Sequence, residues 1–203
     1  MAEEYAPGLD PSQVCGIDEA GRGPLAGPVT AGCVILGPDF PVGGLKDSKK
    51  LTPARREALS RDILNHALAW GLGWAWPHEI DALNIHRASL LAMSRAYQQM
   101  GKKPLLALVD GKFTPSLDCP ARAVVSGDNL IPAIMAASIL AKTARDRWMI
   151  RYSWIEGAYG YDRHKGYPTP EHARICRELG PSPISRLSFR VPGEKDPPRR
   201  RTG

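Results

Sequence analysis

Residues 14–36 read VCGIDEAGRGPLAGPVTAGCVIL, and the fold class follows from this stretch. The apolar run at 14–17 and the longer run at 29–36, which is rich in β-branched and small residues, predict two β-strands. An acidic pair, Asp18-Glu19, follows the first strand, and a glycine-studded turn leads on toward the second. The stretch therefore predicts the beginning of a β-sheet with carboxylates where its first strand ends.

Strands and helices alternate through the rest of the chain. Thr52-Pro53 is typical of the start of a helix, because threonine can cap it and proline suits the first helical position. Apolar residues recur at helical spacing from Ile80 to Met100 and again from Asp128 onward. Further strands are predicted at Trp70–Trp76, Leu105–Val109 and Arg122–Val125, and a mostly helical region at 170–180. This order predicts an α/β fold, a mixed sheet flanked by helices with a small helical C-terminal region.

The predicted domain organisation has three parts. Residues 1–12 contain prolines and a glycine and are typical of a loose leader. Residues 13–191 are predicted to form a single domain, which includes the helical region at 150–191. Residues 192–203 combine proline, glycine and the run Arg199-Arg200-Arg201, which predicts a disordered basic tail.

The composition excludes several classes of protein. The 203 residues are 43% hydrophobic and 24% charged, which excludes collagen-like, coiled-coil and wholly disordered chains. The net charge of +6 suits a polyanionic partner. No apolar run approaches the ~18 residues of a membrane span, and the acidic start is unlike a secretory signal. The four cysteines are far apart with no C-x-x-C pair, which argues against a zinc site or disulfides and favours a reducing cytoplasm.

Four acidic residues stand where predicted elements end or begin. Asp18 and Glu19 follow the first strand, Asp110 follows the buried run at 105–109, and Asp128 opens a helix. If the two strands are neighbours, Asp18 and Asp110 emerge at the same edge of the sheet. Oxygen ligands alone indicate Mg²⁺ or Mn²⁺, and two such ions about 4 Å apart can hydrolyse a phosphodiester.

The same four carboxylates also have simpler interpretations. Asp128 suits a helix N-cap, and Asp110-Gly111 is a common turn pair. Asp18-Glu19 is equally compatible with a solvated strand end. Spacing alone therefore leaves the metal site as one possibility among several.

Sequence motifs distinguish these interpretations. The string GIDEAGRGPLAG at 16–27 resembles the opening signature of the type 2 ribonucleases H, specifically the bacterial ribonuclease HII family. Further segments resemble that family in the same order along the chain, between roughly residues 14 and 190. They are DSKKL at 47–51, EIDALNI at 79–85, VDG at 109–111, SGDNLIPAIMAASILAKTARD at 126–146 and HKGYPTPEH at 164–172.

The resemblance implies a ribonuclease H-like fold and a metal-dependent endonuclease. Its implied substrates are RNA–DNA hybrids and duplex DNA with single embedded ribonucleotides, cut on the 5′ side to leave a 3′-hydroxyl and a 5′-phosphate. Asp18, Glu19, Asp110 and Asp128 match the four catalytic carboxylates of the family, which bind two Mg²⁺ or Mn²⁺ ions. We expect a monomeric cytoplasmic enzyme.

Two further motifs are implied to recognise the substrate. Gly21-Arg22-Gly23 resembles the segment that detects the 2′-hydroxyl, the group that distinguishes RNA from DNA. Tyr167 matches the tyrosine that packs against the sugar after the ribonucleotide. Without the surrounding motifs, a tight turn and a half-buried tyrosine are the simpler interpretations.

Basic and polar residues in these motifs are candidates for phosphate contacts, which position a duplex without reading its sequence. They are Lys46, Ser48, Lys49, Lys142 and Arg145. One position departs from the family pattern, because Ser185 stands where many members have histidine. That difference puts in doubt how the C-terminal segment is held in place. His164 and His172 are eight residues apart with no cysteine near, so we expect a structural role for them.

Three other functions are weighed against this one. A type 3 ribonuclease H would favour long hybrids, but the chain lacks the long extension before its first motif. A junction resolvase of the same fold would cut branched DNA. A non-catalytic hybrid-binding protein would gain nothing from carboxylates that face phosphate.

Overall fold

A computed structural model describes residues 2–45 and 52–193 of the chain. Its centre is a five-stranded sheet in the order β3-β2-β1-β4-β5. β1 pairs antiparallel with β2 and β2 antiparallel with β3, whereas β1, β4 and β5 are parallel. The strands are β1 Val14–Ala20, β2 Val29–Ile35, β3 Ala69–Ala75, β4 Leu106–Asp110 and β5 Ala121–Val124.

Helices cover both faces of this sheet, which confirms the predicted α/β fold class. α4 packs on one face, and α6 packs on the other together with α2. The shorter helices α7 and α8 follow α6 in the C-terminal region. The helices are α1 Ala2–Tyr5, α2 Pro53–His66, α3 Pro77–Leu83, α4 Ile85–Gln99, α5 Gly127–Leu130, α6 Pro132–Tyr152, α7 Tyr161–His164 and α8 Pro170–Leu179.

Glycines let both long helices approach the sheet closely. A Cβ atom at Gly32 of β2 would clash with the carbonyl of Ala137 in α6. On the opposite face, a Cβ atom at Gly73 of β3 would clash with the carbonyl of Ala92 in α4. Because the neighbouring atoms belong to helix backbones, they cannot move aside without shifting the helix.

Replacement of Gly73 by alanine is expected to destabilise the protein. The added methyl group must displace α4, and overpacking of this kind costs about 1–3 kcal/mol. Urea denaturation measures the loss. Gly101→Ala is the matched control, because a Cβ atom there meets nothing within 4 Å, and its unfolding free energy should match that of the wild type. An equal stability of Gly73→Ala and wild type would contradict the close packing.

The helix predicted from Ile80 to Met100 is two helices, α3 and α4, and the single-helix prediction is wrong. Asn84 lies between them with φ of 69°, a conformation that asparagine tolerates better than most residues. Its side-chain oxygen accepts a hydrogen bond from the backbone N–H of Arg87 at 3.1 Å, which caps α4. One residue therefore ends the first helix and begins the second.

The helix predicted to run on from Asp128 is also interrupted. α5 ends at Leu130, Ile131 is extended, and Pro132 begins α6. Proline disfavours the helical conformation of the residue before it, which explains the break at Ile131.

The N-terminal segment differs from the loose leader predicted for it. It contains α1, and Ala6 is buried in a cluster with Val14 and Leu108. Arg122 Nη1 donates to the carbonyl of Tyr5 at 3.3 Å, which ties the segment to β5. The Arg199–Arg201 run lies outside the described residues, so the predicted tail and the division into domains stay predictions.

Two expectations drawn from composition can be compared with the structure. All four cysteines are free thiols. No helix in the described part of the chain has both the length and the apolar character that a membrane crossing demands.

Candidate active site

β1 and β4 bring two of the predicted carboxylates to one edge of the sheet. The strands are parallel neighbours with Ile17 opposite Val109, so Asp18 and Asp110 come next to each other where β1 and β4 stop pairing. This arrangement confirms that the two strands are neighbours. Asp18 is only 5% exposed.

Glu19 lies on the same strand, and its position depends on local hydrogen bonds. Its backbone N–H donates to Oδ1 of Asp18 at 2.7 Å. Its own carboxylate accepts from Nη1 of Arg22 at 3.1 Å. β1 keeps its pairing with β2 as far as Ala20, so Glu19 lies within the paired part of the strand.

Asp128 is joined to Asp110 through its backbone. The N–H of Asp128 donates to Oδ1 of Asp110 at 3.2 Å, and Nδ2 of Asn129 donates to Oδ1 of Asp128 at 3.2 Å. Ser126, in the left-handed conformation, occupies the N-cap position of α5, so Asp128 lies in the first turn and is not the cap. The backbone of Asp128 is thus held at the end of β4.

Burial and mutual repulsion disfavour negative charge at this edge. Burial raises the pKa of Asp18 well above its usual range, the charges of Glu19 and Asp110 raise it further, and a hydrogen bond from Ser138 opposes the shift. Burial also raises the pKa of Glu19, against the lowering effect of Arg22. A cation placed among these oxygens would relieve both effects.

The chemistry of this donor set fits a hard divalent cation, because every candidate ligand is a carboxylate oxygen. The backbone N–H of Glu19 bonds to the carboxylate of Asp18, and the backbone N–H of Asp128 bonds to the carboxylate of Asp110. Among residues 2–45 and 52–193, however, no three His, Cys, Asp or Glu side chains converge on a single cation position. The fold therefore places the four carboxylates along one edge without closing them around one point.

The Gly21–Gly23 loop leaves β1 directly after these carboxylates. Gly21 has φ of +92°, and a Cβ atom there would clash with the side chain of Arg145. Arg186 donates to the carbonyls of Gly21 at 2.6 Å and Arg22 at 2.9 Å. Gly23 is exposed, and a Cβ atom there would meet nothing within 4 Å. The loop is thus held from inside and open on its outer side.

Tyr167 belongs to a second loop that is fastened to the first. The N–H of Leu25 donates to the carbonyl of Gly166 at 2.8 Å. The half-buried Tyr167 ring has Nζ of Lys142 at 5.0 Å and Cζ of Arg145 at 5.6 Å from its centre. The structure therefore brings together the two motifs that the sequence places more than a hundred residues apart.

Arg145 does not have the surface position that a phosphate contact requires. It is fully buried, and its nitrogens donate to the carbonyls of Pro28 at 2.9 Å, Ala26 at 3.0 Å and Lys165 at 3.0 Å. Burial lowers the pKa of its guanidinium. The prediction of a phosphate contact is wrong for this residue, which instead joins the loops around Tyr167 and Ala26.

Of the other residues predicted to contact phosphate, only Lys142 lies in the part of the chain that the structure describes. Lys142 is part-exposed, and its ammonium pairs with Asp146 at 2.8 Å beside the Tyr167 ring. Its position is compatible with a contact to bound phosphate. Lys46, Ser48 and Lys49 lie outside the described residues, so their roles stay predictions.

Arg186 is a residue of this site that the sequence analysis did not select. It follows Ser185, whose backbone forms a bridge with Ala26, and its N–H donates to the carbonyl of Leu25 at 2.8 Å. Ser185 Oγ accepts from the N–H of Ser182 at 2.9 Å. The C-terminal segment is therefore held without the histidine that Ser185 replaces. A buried arginine partnered by backbone carbonyls has no local sequence signature.

His164 and His172 stack beneath the Tyr167 loop with ring centres 4.1 Å apart. Nε2 of His164 donates to the carbonyl of Tyr159 at 2.8 Å, and Nδ1 of His172 donates to the carbonyl of Tyr167 at 3.0 Å. Each ring therefore supports loop backbone, as expected for a structural role.

The histidine pair predicts a pH dependence of stability. Burial lowers the pKa of both rings, so the folded state favours the neutral forms. In the unfolded chain both rings bind protons near the ordinary pKa of about 6.5. The contribution of the two histidines to the free energy of unfolding is therefore complete above that pH and is lost as the pH falls below it. Urea denaturation between pH 7.5 and 5.5 should show this fall, and His172→Asn should make it shallower. An equal pH dependence of stability in His172→Asn and wild type would contradict the assignment, and exposed His66→Asn is the control.

Comparisons with known proteins agree with the sequence motifs and with the fold. The family model for ribonuclease HII matches residues 15–191. The ribonuclease HII of Bordetella pertussis is 54% identical over 179 residues, 88% of this chain and 89% of the relative.

Two solved structures are similar in fold. The ribonuclease H2 of Pyrococcus horikoshii has a TM-score of 0.75 at 26% identity, covering 88% of this chain and 94% of that one. The ribonuclease HII of Archaeoglobus fulgidus, solved as a complex with PCNA, has a TM-score of 0.72 at 26% identity, covering 86% and 92%. The chain therefore belongs to the ribonuclease HII family, whose members are nucleases with ribonuclease H activity.

Proposed function

We propose that the chain is a metal-dependent endonuclease that cleaves RNA in RNA–DNA hybrids and incises duplex DNA on the 5′ side of a single ribonucleotide. The observation that carries this proposal is the continuity of β1 with the Gly21–Gly23 loop. Carboxylates suited to hydrolysis of a phosphodiester thereby lie beside a loop suited to detect the sugar. The products would be a 3′-hydroxyl and a 5′-phosphate.

The proposed catalytic residues are Asp18, Glu19, Asp110 and Asp128. They would hold Mg²⁺ or Mn²⁺, and when bound these cations supply charge neutralisation at the scissile phosphate and a more acidic water. Asp18 and Asp110 are set by paired strands, and the hydrogen bond from the N–H of Asp128 orients Asp110 further. A rigid sheet edge of this kind is a suitable support for ligands that must keep their geometry.

Recognition of the ribonucleotide is assigned to the two joined loops. The open space outside Gly23 allows a sugar to approach the backbone, whose polar groups would bond to the 2′-hydroxyl. Arg22, with a side chain 53% exposed, would add a phosphate contact. The Tyr167 ring would pack on the next sugar and leave no space for a second 2′-hydroxyl there.

Binding of the duplex itself is assigned to the basic and polar residues of the sequence motifs. Lys142 lies beside the Tyr167 ring, where its ammonium would reach the phosphate next to that sugar. We also assign phosphate contacts to Lys46, Ser48 and Lys49. Contacts of this kind make binding salt-dependent without any preference for base sequence.

The proposed function is tested by a nicking assay on duplex DNA that carries one ribonucleotide, with Mg²⁺ or Mn²⁺. We expect one cut on the 5′ side of the ribonucleotide and none in an all-DNA duplex of the same sequence. Binding of both ribonucleotide substrates without any cut would favour a non-catalytic binding protein. Cleavage of long hybrids alone would restrict the enzyme to continuous RNA.

A further inference from the structure

The C-terminal segment at 184–189 runs along the loop that connects β1 and β2. The carbonyl of Ile184 accepts from the N–H of Gly27 at 2.8 Å, and the N–H of Arg186 donates to the carbonyl of Leu25 at 2.8 Å. These contacts join residues more than 150 positions apart. The loop that leaves the carboxylates is thus paired with the end of the described chain.

Arg186 inserts its side chain into this loop. It is 2% exposed, and its three nitrogens donate to the carbonyls of Gly21 at 2.6 Å, Arg22 at 2.9 Å and Gly27 at 2.9 Å. A planar guanidinium can bond to three carbonyls in a fixed fork, whereas the single ammonium of lysine cannot reproduce that geometry. Arg186 therefore sets the relative position of both ends of the loop.

Asp81 of α3 holds the turn that carries Arg186. Its carboxylate accepts from the N–H of Leu187 at 3.0 Å, the N–H of Ser188 at 2.9 Å and Oγ of Ser188 at 2.6 Å. The turn closes with a bond from the N–H of Phe189 to the carbonyl of Arg186 at 3.0 Å. A carboxylate that accepts several hydrogen bonds fixes its donors firmly.

We propose that Arg186, held in place by Asp81, is a positioning residue that keeps the Gly21–Gly23 loop in the conformation that recognises a ribonucleotide. This inference rests on the proposed function. Gly21 and Gly23 have no Cβ atom to restrict their backbone, so the conformation of the loop has to be imposed from outside. Arg186 imposes it from the side opposite to the exposed face of Gly23.

The test uses Arg186→Lys and Asp81→Asn in the full chain. For Arg186→Lys, kcat on the single-ribonucleotide duplex should fall about 10- to 100-fold, because a reacting group displaced by 1 Å costs about 10²-fold. KM should rise only by the share of affinity that the ribonucleotide contributes, because phosphate contacts elsewhere remain. Asp81→Asn keeps one side-chain oxygen as an acceptor, so its kcat should fall by a smaller factor.

A binding measurement separates positioning from simple loss of structure. In EDTA, the ratio of affinities for the single-ribonucleotide duplex and the all-DNA duplex should fall toward one in both variants. An inactive fraction of protein would weaken both affinities equally and leave this ratio unchanged. Retention of the wild-type ratio in both variants would overturn the proposal.

The matched control comes from α3. Glu79→Gln alters a carboxylate that pairs with Arg95 at 2.7 Å and makes no contact with Arg186. It should keep the wild-type ratio. If Arg186→Lys does not fold, Ser188→Ala replaces it, since it removes one donor to Asp81 and should lower the ratio. If the wild-type chain does not cut the single-ribonucleotide duplex, the proposed function is wrong. If the wild-type chain cuts it and the variants cut and bind it as the wild type does, only this inference is wrong.

Discussion

Asp110→Asn is expected to lower the rate of cleavage about 10³-fold or more while the protein stays folded. Loss of one carboxylate removes several kcal/mol of charge stabilisation by the cations, and each 1.36 kcal/mol is a factor of ten. The asparagine keeps an oxygen that can accept the N–H of Asp128, which now donates to Asp110 at 3.2 Å. The substitution also removes a charge that repels Asp18 and Glu19. Single-turnover nicking with Mg²⁺ measures the rate, and thermal unfolding measures the stability.

The control for Asp110→Asn is Asp39→Asn, a change at an exposed aspartate that follows β2. It should nick at the wild-type rate. More than a tenth of the wild-type rate in Asp110→Asn would remove Asp110 from the proposed ligand set. A large fall in its melting temperature would instead indicate that Asp110 has a structural role.

Arg145→Met should lower the free energy of unfolding by about 3–5 kcal/mol. The guanidinium is fully buried and bonds to the carbonyls of Ala26, Pro28 and Lys165, and each buried acceptor left without a donor costs about 1–3 kcal/mol. Methionine matches the length of the side chain and supplies no donor. Urea denaturation checks the value.

Lys142→Met, one helical turn earlier, is the comparison for Arg145→Met. Its part-exposed ion pair with Asp146 is worth at most about 1 kcal/mol, so its stability should be nearly unchanged. If Arg145→Met were as stable as Lys142→Met but bound duplex DNA more weakly, the original prediction of a phosphate contact would be restored.

Hydrophobic pattern alone predicted most of the sheet and its helices. The apolar runs at 14–17, 29–36 and 105–109 indicated strands, and the continuous run at 105–109 indicated a strand buried on both faces. The two errors in helix length arose where a local preference interrupts a continuous periodicity, namely the positive φ of Asn84 and the restriction that Pro132 places on Ile131. Periodicity does not detect a break that leaves the apolar face in register.

The strand pattern also made the positions of two carboxylates predictable. Asp18 and Asp110 come directly after strands, and parallel neighbouring strands carry such residues to one edge. Residue types alone did not separate Lys142 from Arg145, because both are basic positions of one helix, three residues apart. Only the packing of α6 against the loops shows that one is part-exposed and the other buried.

The sequence by itself determined the strands and most of the helices, the order of the carboxylates along the chain and, through its motifs, the family. These features depend on local periodicity and on residue identity. Tertiary structure alone decided that Arg145 and Arg186 are internal supports for the loops beside the carboxylates. Arg186 bonds to Gly21, 165 positions away, and to Gly27, 159 positions away. Contacts over such separations exist only after the sheet has formed and the C-terminal segment has packed against it, because nothing near either residue in the chain specifies its partner.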